Sequence, residues 1–240
     1  AACAHNLKRQ QPRVRLFEAG RKFVTQSGEL REVEVIAGIA GGSALPEQWG
    51  ASKDAGDFFD VKADVEALLR ATGDADAFRF VPETHPALHP GQSARIYRGA
   101  TAVGWLGRLH PELEQRLELT YSALVFEVET ESGLRARVPQ HREISRFPAV
   151  RRDLAMIVDE SVAVQQIIDC IRRSAGELLK DVVVFDIYRG KGIETGRKSV
   201  ATGLNLQDVS RTLTDEAIDA VVAQVITDLV RECKATIRDK

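Results

Sequence analysis

Apolar and polar positions alternate along residues 181–207, DVVVFDIYRGKGIETGRKSVATGLNLQ, in two runs joined by a glycine-bearing loop. Alternation with period two marks strands that pack one face on a core and show the other to water. The first run sets Val183, Phe185 and Ile187 on the packed face and Asp186 and Tyr188 on the open one. In the second, Val200, Thr202, Leu204 and Leu206 point inward, while Ser199, Ala201, Gly203, Asn205 and Gln207 point outward. Around this antiparallel hairpin, residues 154–158 and 235–238 read as strands. Residues 163–174 and 214–231 repeat apolar positions with helical period, through Ile167 and Ile171 in one and Ile218, Val225 and Leu229 in the other. Thr214 is the expected N-cap of the last helix, with Asp215 and Glu216 suited to its positive end. The order is βαββαβ. Two such helices cover one face of a four-stranded antiparallel sheet and leave the other bare.

The first half reads differently. Residues 1–11 look like the end of a helix stopped by Pro12. Strands are expected over 13–20, extending through 25, and over 33–40, with a turn at Ser27-Gly28 between them. A helix over 57–72 carries the stripe Val61, Val65, Leu68 and Leu69 and stops near Gly73. A short strand at 78–81, a loop at 85–92 and a hairpin of 93–97 with 101–109 follow. Pro111 opens a short helix to about residue 118, and 124–129 alternates as a strand. The pattern predicts an α+β chain. A mostly antiparallel sheet with helices on one side fills residues 1–135, a βαββαβ domain fills 141–240, and the polar, aperiodic stretch 132–141 separates them.

Composition narrows the options. A chain of 240 residues, 44% apolar and 28% charged, has material for two ordinary cores. Its net charge of −2 provides no overall pull on nucleic acid, so any such site must be a local patch. The three cysteines show no CxxC spacing, which argues against a disulfide frame or a zinc site. No apolar run approaches the ~20 residues of a membrane span. The start, AACAHNLKRQQP, has neither the apolar region of a signal peptide nor an initiator Met. A cytoplasmic fragment of a longer protein is the expectation.

The open face of the 181–207 hairpin gathers Tyr188, Asp186 and Ser199 among small residues, rimmed by Arg189, Lys191, Arg197 and Lys198. An aromatic ring, hydrogen-bonding groups and a cationic border suit a single-stranded nucleic acid. The plainer alternative is a solvated, charged hairpin. The segment HREISRFPAVRRD adds Arg142, Arg146, Arg151 and Arg152, expected to come near Lys191 and Lys198; pairing of Arg151 and Arg152 with neighbouring carboxylates is the alternative. His85 and His89 stand four apart beside Pro86 and Pro90, so they read as structural loop residues rather than a helical metal pair. Gly38, Gly41 and Gly42 follow a strand without phosphate-loop spacing, and neither GxxxxGK[ST] nor Gly-x-Ser-x-Gly occurs. No catalytic residue and no metal ligand is assigned.

The phrases REISRFPAVRRDLAMIV, VFDIYRGKGI, GRKS and LQDVSRTLTDE closely resemble the ferredoxin-like anticodon-binding domain of the bacterial phenylalanyl-tRNA synthetase β subunits, over about the last 100 residues. NLKRQQPRVRLFEAG, FDVKADVEALL, HPALHPGQSARI and GWLGRLHPEL resemble the preceding module of those subunits, which is similar to a class II synthetase core without its active site. The resemblance implies a non-catalytic part of a heterotetramer of two α and two β subunits. The α subunit would hold ATP, Mg and phenylalanine, and this part would have no cofactor of its own. The first module would pack on α, the enzyme would include a second β subunit, and the last domain would bind tRNA(Phe). It further implies base contacts by Asp186, Tyr188 and Ser199 and phosphate contacts by Arg146, Arg151, Arg152, Arg189, Lys191 and Lys198. Where a class II ATP site would close on Glu-Arg, GWLGRLHPE offers no such pair. Two rival readings are an amino-acid-binding regulatory module and a purely structural assembly module. The first would need a glycine-rich turn where Asp159, Glu160, Ser161 and Val162 stand.

Overall fold

A computed structural model of the chain describes residues 2–26, 28–138 and 144–238. The chain divides into two compact units, Ala1–Gln140 and His141–Lys240. Arg142 and the end of the 132–141 stretch, residues 139–141, lie outside the described residues.

The first unit begins with α1 (Ala2–Lys8) and continues into β1 (Arg13–Gln26) and β2 (Glu29–Gly42), paired antiparallel along their whole length. Next come α2 (Phe58–Arg70), β3 (Phe78–Pro82), β4 (Leu88–Arg98), β5 (Thr101–Leu109), α3 (Pro111–Arg116), β6 (Leu124–Glu129) and α4 (Thr130–Gly133). The six strands form one antiparallel sheet in the order β1-β2-β6-β5-β4-β3. Helix α2 starts at Asp57, whose carboxylate accepts from the N–H groups of Phe59 and Asp60, while Asp60 accepts from the N–H of Asp57. This reciprocal cap satisfies the first free amides. Val61, Val65 and Leu69 then bury against Ile96, Val103, Leu106, Leu124 and Val128 of the sheet. Part of the stretch read as a loop, 88–92, is the irregular start of β4. It carries a register shift between Leu88 and Ser93, where Pro90 cannot donate to the ladder and interrupts the strand signal in the sequence.

The second unit contains β7 (Val150–Asp159), α5 (Val164–Ala175), β8 (Leu179–Tyr188), β9 (Arg197–Leu206), α6 (Asp215–Cys233) and β10 (Thr236–Ile237). The sheet order is β10-β7-β9-β8, all antiparallel: a ferredoxin-like βαββαβ arrangement. Thr214 caps α6, accepting from the N–H of Ala217. Both helices lie on one side of the sheet. Ile167, Ile171, Ile218, Val225 and Leu229 meet Leu154, Met156, Val158, Val200 and Leu204 there, and Leu206 closes the end. Every second residue of the central strand β9 therefore points into this core. Its remaining positions belong to the opposite face, against which no helix of this unit lies among the described residues.

Candidate nucleic-acid interface

The helix-free face is assembled from alternate positions of three strands. On β7 it shows Arg151, Asp153, Ala155 and Ile157. Facing them across the ladder on β9 are Asn205, Gly203, Ala201 and Ser199. On the edge strand β8, Asp181, Val183, Asp186 and Tyr188 stand opposite the same β9 residues. The ladder slips between Val184 and Asp186. A bulge adds one unpaired residue and reverses the phase of the strand beyond it. Before the slip, Val182 and Val184 pack on the core, opposite Leu204 and Thr202. Val183 and Phe185, expected to point inward, are instead exposed. Beyond the slip, Ile187 lies opposite buried Val200, on the side the alternation implies, but on this edge strand it too is exposed.

Asp186 is exposed. Tyr188 is 43% exposed, and its hydroxyl donates to the carbonyl of Lys191 at 3.4 Å. The phenol rests on the backbone of Gly190, where any Cβ would come within 2.7 Å of the hydroxyl oxygen. The loop after β8 thus holds the ring in place while leaving it accessible. Ser199 differs from its expected exposure: it is buried, set on the central strand between its ladder partners Tyr188 and Ile157.

The cations also distribute differently from the sequence reading. Lys198 is buried because β9 already begins at Arg197, which puts Lys198 in phase with core-facing Val200. Its ammonium donates to the carbonyl of Glu160 at 2.8 Å. Arg152 pairs across the ladder with buried Leu204, so it leaves the sheet on the helix side and meets Asp215 at the start of α6, 3.3 Å away. Neither group borders the open face. Arg151 does: its guanidinium lies over Gly203, pairs with Asp153 at 2.7 Å and sits 5.3 Å from the centre of the Phe185 ring. Arg189 pairs with Glu160 at 2.8 Å, and Lys191 is exposed.

Arg146 is exposed on a segment tied to the far end of β9. Ser145 donates to the carbonyl of Asp208, and Gln207 donates to that of Phe147. The two basic segments expected to meet therefore lie at opposite ends of a ten-residue strand, separated by on the order of 30 Å at the usual rise per residue. They bracket the open face rather than forming one patch. The ion pairs of Arg151 and Arg189 are solvent-exposed, and such pairs hold by roughly 0–1 kcal/mol, weak enough to be exchanged for phosphate.

Phe185 and Val183 are the apolar residues of β8 that the alternation set on the wrong face. The signal that could have flagged them is the run Val182-Val183-Val184-Phe185, four consecutive apolar residues before Asp186, which no strict two-residue period accommodates.

Among its described residues the first unit shows no comparable arrangement for phosphates or metal. Arg108, at the end of β5, is held by Glu114 of α3 through two hydrogen bonds of 3.1 and 2.7 Å, and His110 caps α3 by accepting from the N–H of Glu112. Burial raises the pKa of Glu114, but the Arg108 side chain and the Ala123 N–H outweigh it and hold the carboxyl below its ordinary range. The His85 ring leans on Trp105, and its Nδ1 and that of His89 each accept an N–H from their own turn. No group of three metal-ligating side chains occurs among the described residues.

Residues 1–130 match the family described as "Phenylalanyl tRNA synthetase beta chain CLM domain", and residues 145–238 match "Ferredoxin-fold anticodon binding domain". The phenylalanine–tRNA ligase β subunit of Pseudomonas fluorescens is 50% identical over 237 residues, 99% of this chain and 30% of that protein. That of Methylococcus capsulatus is 45% identical over 238 residues, with the same coverage of each. The chain thus spans under a third of the length of these relatives. Among solved structures, a pyrrolysyl-tRNA synthetase from Desulfitobacterium hafniense is similar, with TM-score 0.40 and 17% identity over 54% of this chain and 44% of that one.

Proposed function

The chain belongs to the phenylalanyl-tRNA synthetase β-chain family, and on that premise we propose that it is the part of a β subunit that grips the anticodon end of tRNA(Phe). The enzyme around it charges tRNA(Phe) with phenylalanine at the expense of ATP. The observation that carries this reading is the helix-free sheet face, on which Asp186 and half-exposed Tyr188 project together. An unpaired base stacks on the phenol. The Asp186 carboxylate accepts from the amino or imino group of a base, which supplies discrimination rather than bulk affinity. Arg146 and Arg151 at one end, and Arg189 and Lys191 at the other, hold the phosphates of a strand laid along the face. Arg152 and Lys198 stabilise the domain instead, and Ser199 contributes from beneath Tyr188.

Residues 1–135 are a class II synthetase core-like module without a working ATP site, and residues 141–240 are the anticodon domain. The segment GWLGRLHPE carries no Glu-Arg pair to close on ATP, and Arg108 is engaged with Glu114; ATP and Mg are assigned to the α subunit on the family resemblance. Phe17, Phe59 and Trp49 stand exposed on the first unit. Exposed aromatic side chains suit burial against a partner, here the α subunit within a heterotetramer that contains a second β subunit. No helix among the described residues is long and apolar enough to cross a membrane, in keeping with a cytoplasmic enzyme.

The test compares Tyr188→Ala with wild type in the complete α/β enzyme, at fixed salt. Affinity for tRNA(Phe) should fall by about 5- to 100-fold, the value of one stacked base. Unchanged binding and unchanged aminoacylation would remove the anticodon role.

A further inference from the structure

The geometry points to a second base platform on the same sheet, formed by Phe185 and Arg151 across Gly203, so that this face takes two unpaired nucleotides rather than one. This inference rests on the anticodon-binding reading and deepens it by naming a further specificity-determining residue.

Four observations carry it. Phe185 is the unpaired residue at the slip in the β8–β9 ladder, in phase with outward-facing Val183, and the slip brings Asp186 out on the same face beside it. The ring is 50% exposed and lies on the helix-free side, because Arg151 reaches it over that side. Arg151 starts on β7, two strands away, and can lie flat only because β9 offers Gly203 in between. A Cβ at that position would come within 2.8 Å of its Nε and Nη2. Asp153 then fixes the guanidinium by accepting from Nε at 2.7 Å. The result is a planar cation beside an aromatic ring on an otherwise small-residue surface.

Exposing a large apolar ring to water is unfavourable without a ligand to cover it, and the fold does not require this exposure. Val182 and Val184 already supply the inward anchors of β8. An aromatic ring and an Arg plane are the two side-chain surfaces on which unstacked bases lie. Tyr188 stands three residues further along the strand, on the order of 10 Å away at the strand rise, so each ring can take its own base. Between the two rings the open face holds Asp186 opposite Ala201, a carboxylate and a methyl group rather than a bulky side chain.

The experiment uses the complete α/β enzyme and transcripts of tRNA(Phe), either intact or with one anticodon-loop base removed at a time. Phe185→Ala should weaken binding of intact RNA by about 5- to 100-fold. The loss should vanish on the one transcript lacking the base that stacks there. Tyr188→Ala should show the same behaviour with a different transcript. Phe185→Trp should retain affinity, and Phe185→Leu, which keeps the apolar bulk without a ring, should not. Equal affinity of Phe185→Ala and wild type while Tyr188→Ala is impaired would overturn the second platform and leave the anticodon reading standing. No effect from either substitution would overturn both. A loss from Phe185→Ala that is the same on every transcript, or that Phe185→Leu restores, would assign Phe185 a structural role and also refute the platform.

Discussion

Replacing Gly203 by Ala separates stability from recognition. The added Cβ would stand 2.8 Å from Nε and Nη2 of Arg151 and 2.9 Å from its Cζ. These atoms are the far end of a flexible side chain, so the guanidinium swings away and the backbone stays. The protein then loses the contact with Phe185, about 0.5–1 kcal/mol for an exposed cation–π pair. It also loses the exposed pair with Asp153, about 0.2–1 kcal/mol. Against this, Ala restricts the unfolded chain and suits a strand interior better than Gly by about 0.5–1 kcal/mol. The sum runs from roughly 0.3 kcal/mol of gain to roughly 1.5 kcal/mol of loss, and urea unfolding of the chain should show a midpoint at or modestly below that of wild type. RNA affinity should still fall by about 5-fold or more, because the platform has lost its cation and a strand phosphate its partner. Fluorescence anisotropy with labelled tRNA(Phe), at one salt concentration, reads the second quantity on the complete enzyme. Destabilisation by several kcal/mol would mean that the backbone, not Arg151, yields to the Cβ. Unchanged affinity would mean that the position of Arg151 is irrelevant to RNA. Either result refutes the reasoning.

The two lysines of the β8–β9 hairpin make opposite predictions. Lys191→Ala should lower the slope of log affinity against log salt by about 0.7, the loss of one single-strand phosphate contact, whereas Lys198→Ala should leave the slope unchanged and weaken the fold, because its ammonium is already bound to the Glu160 carbonyl. Asp57→Ala removes both amide partners at the start of α2 and should cost about 1 kcal/mol in urea unfolding. The depressed pKa of Glu114 stabilises the first unit fully above the ordinary carboxyl value of ~4.3. That contribution should be lost as pH falls through the lower folded value. Glu114→Gln should be less stable than wild type at neutral pH, and the gap should narrow in acid.

Local pattern carried most of the architecture. The alternation in β9, with Val200, Leu204 and Leu206 inward, and the helical periods of α5 and α6 depend on neighbours along the chain, so βαββαβ and its bare face were legible from residues alone. The same holds for Asp186 and Tyr188, which stand in the phase the alternation implies. Tertiary structure decided what a single strand cannot contain. The slip between Val184 and Asp186 exists only relative to β9: the strand before it runs with Val182 and Val184 inward and Phe185 outward, and the slip returns Asp186 and Tyr188 to the open face. The burial of Ser199 and Lys198 depends on what lies across the ladder and on where β9 begins. The basic segments fall at opposite ends of β9 because Ser145 and Gln207 tie down a stretch remote from the β8–β9 loop. Periodicity is a property of the backbone's own geometry, whereas register, bulges and the neighbours of a side chain are properties of pairs of strands, and these arise only when the chain folds back on itself.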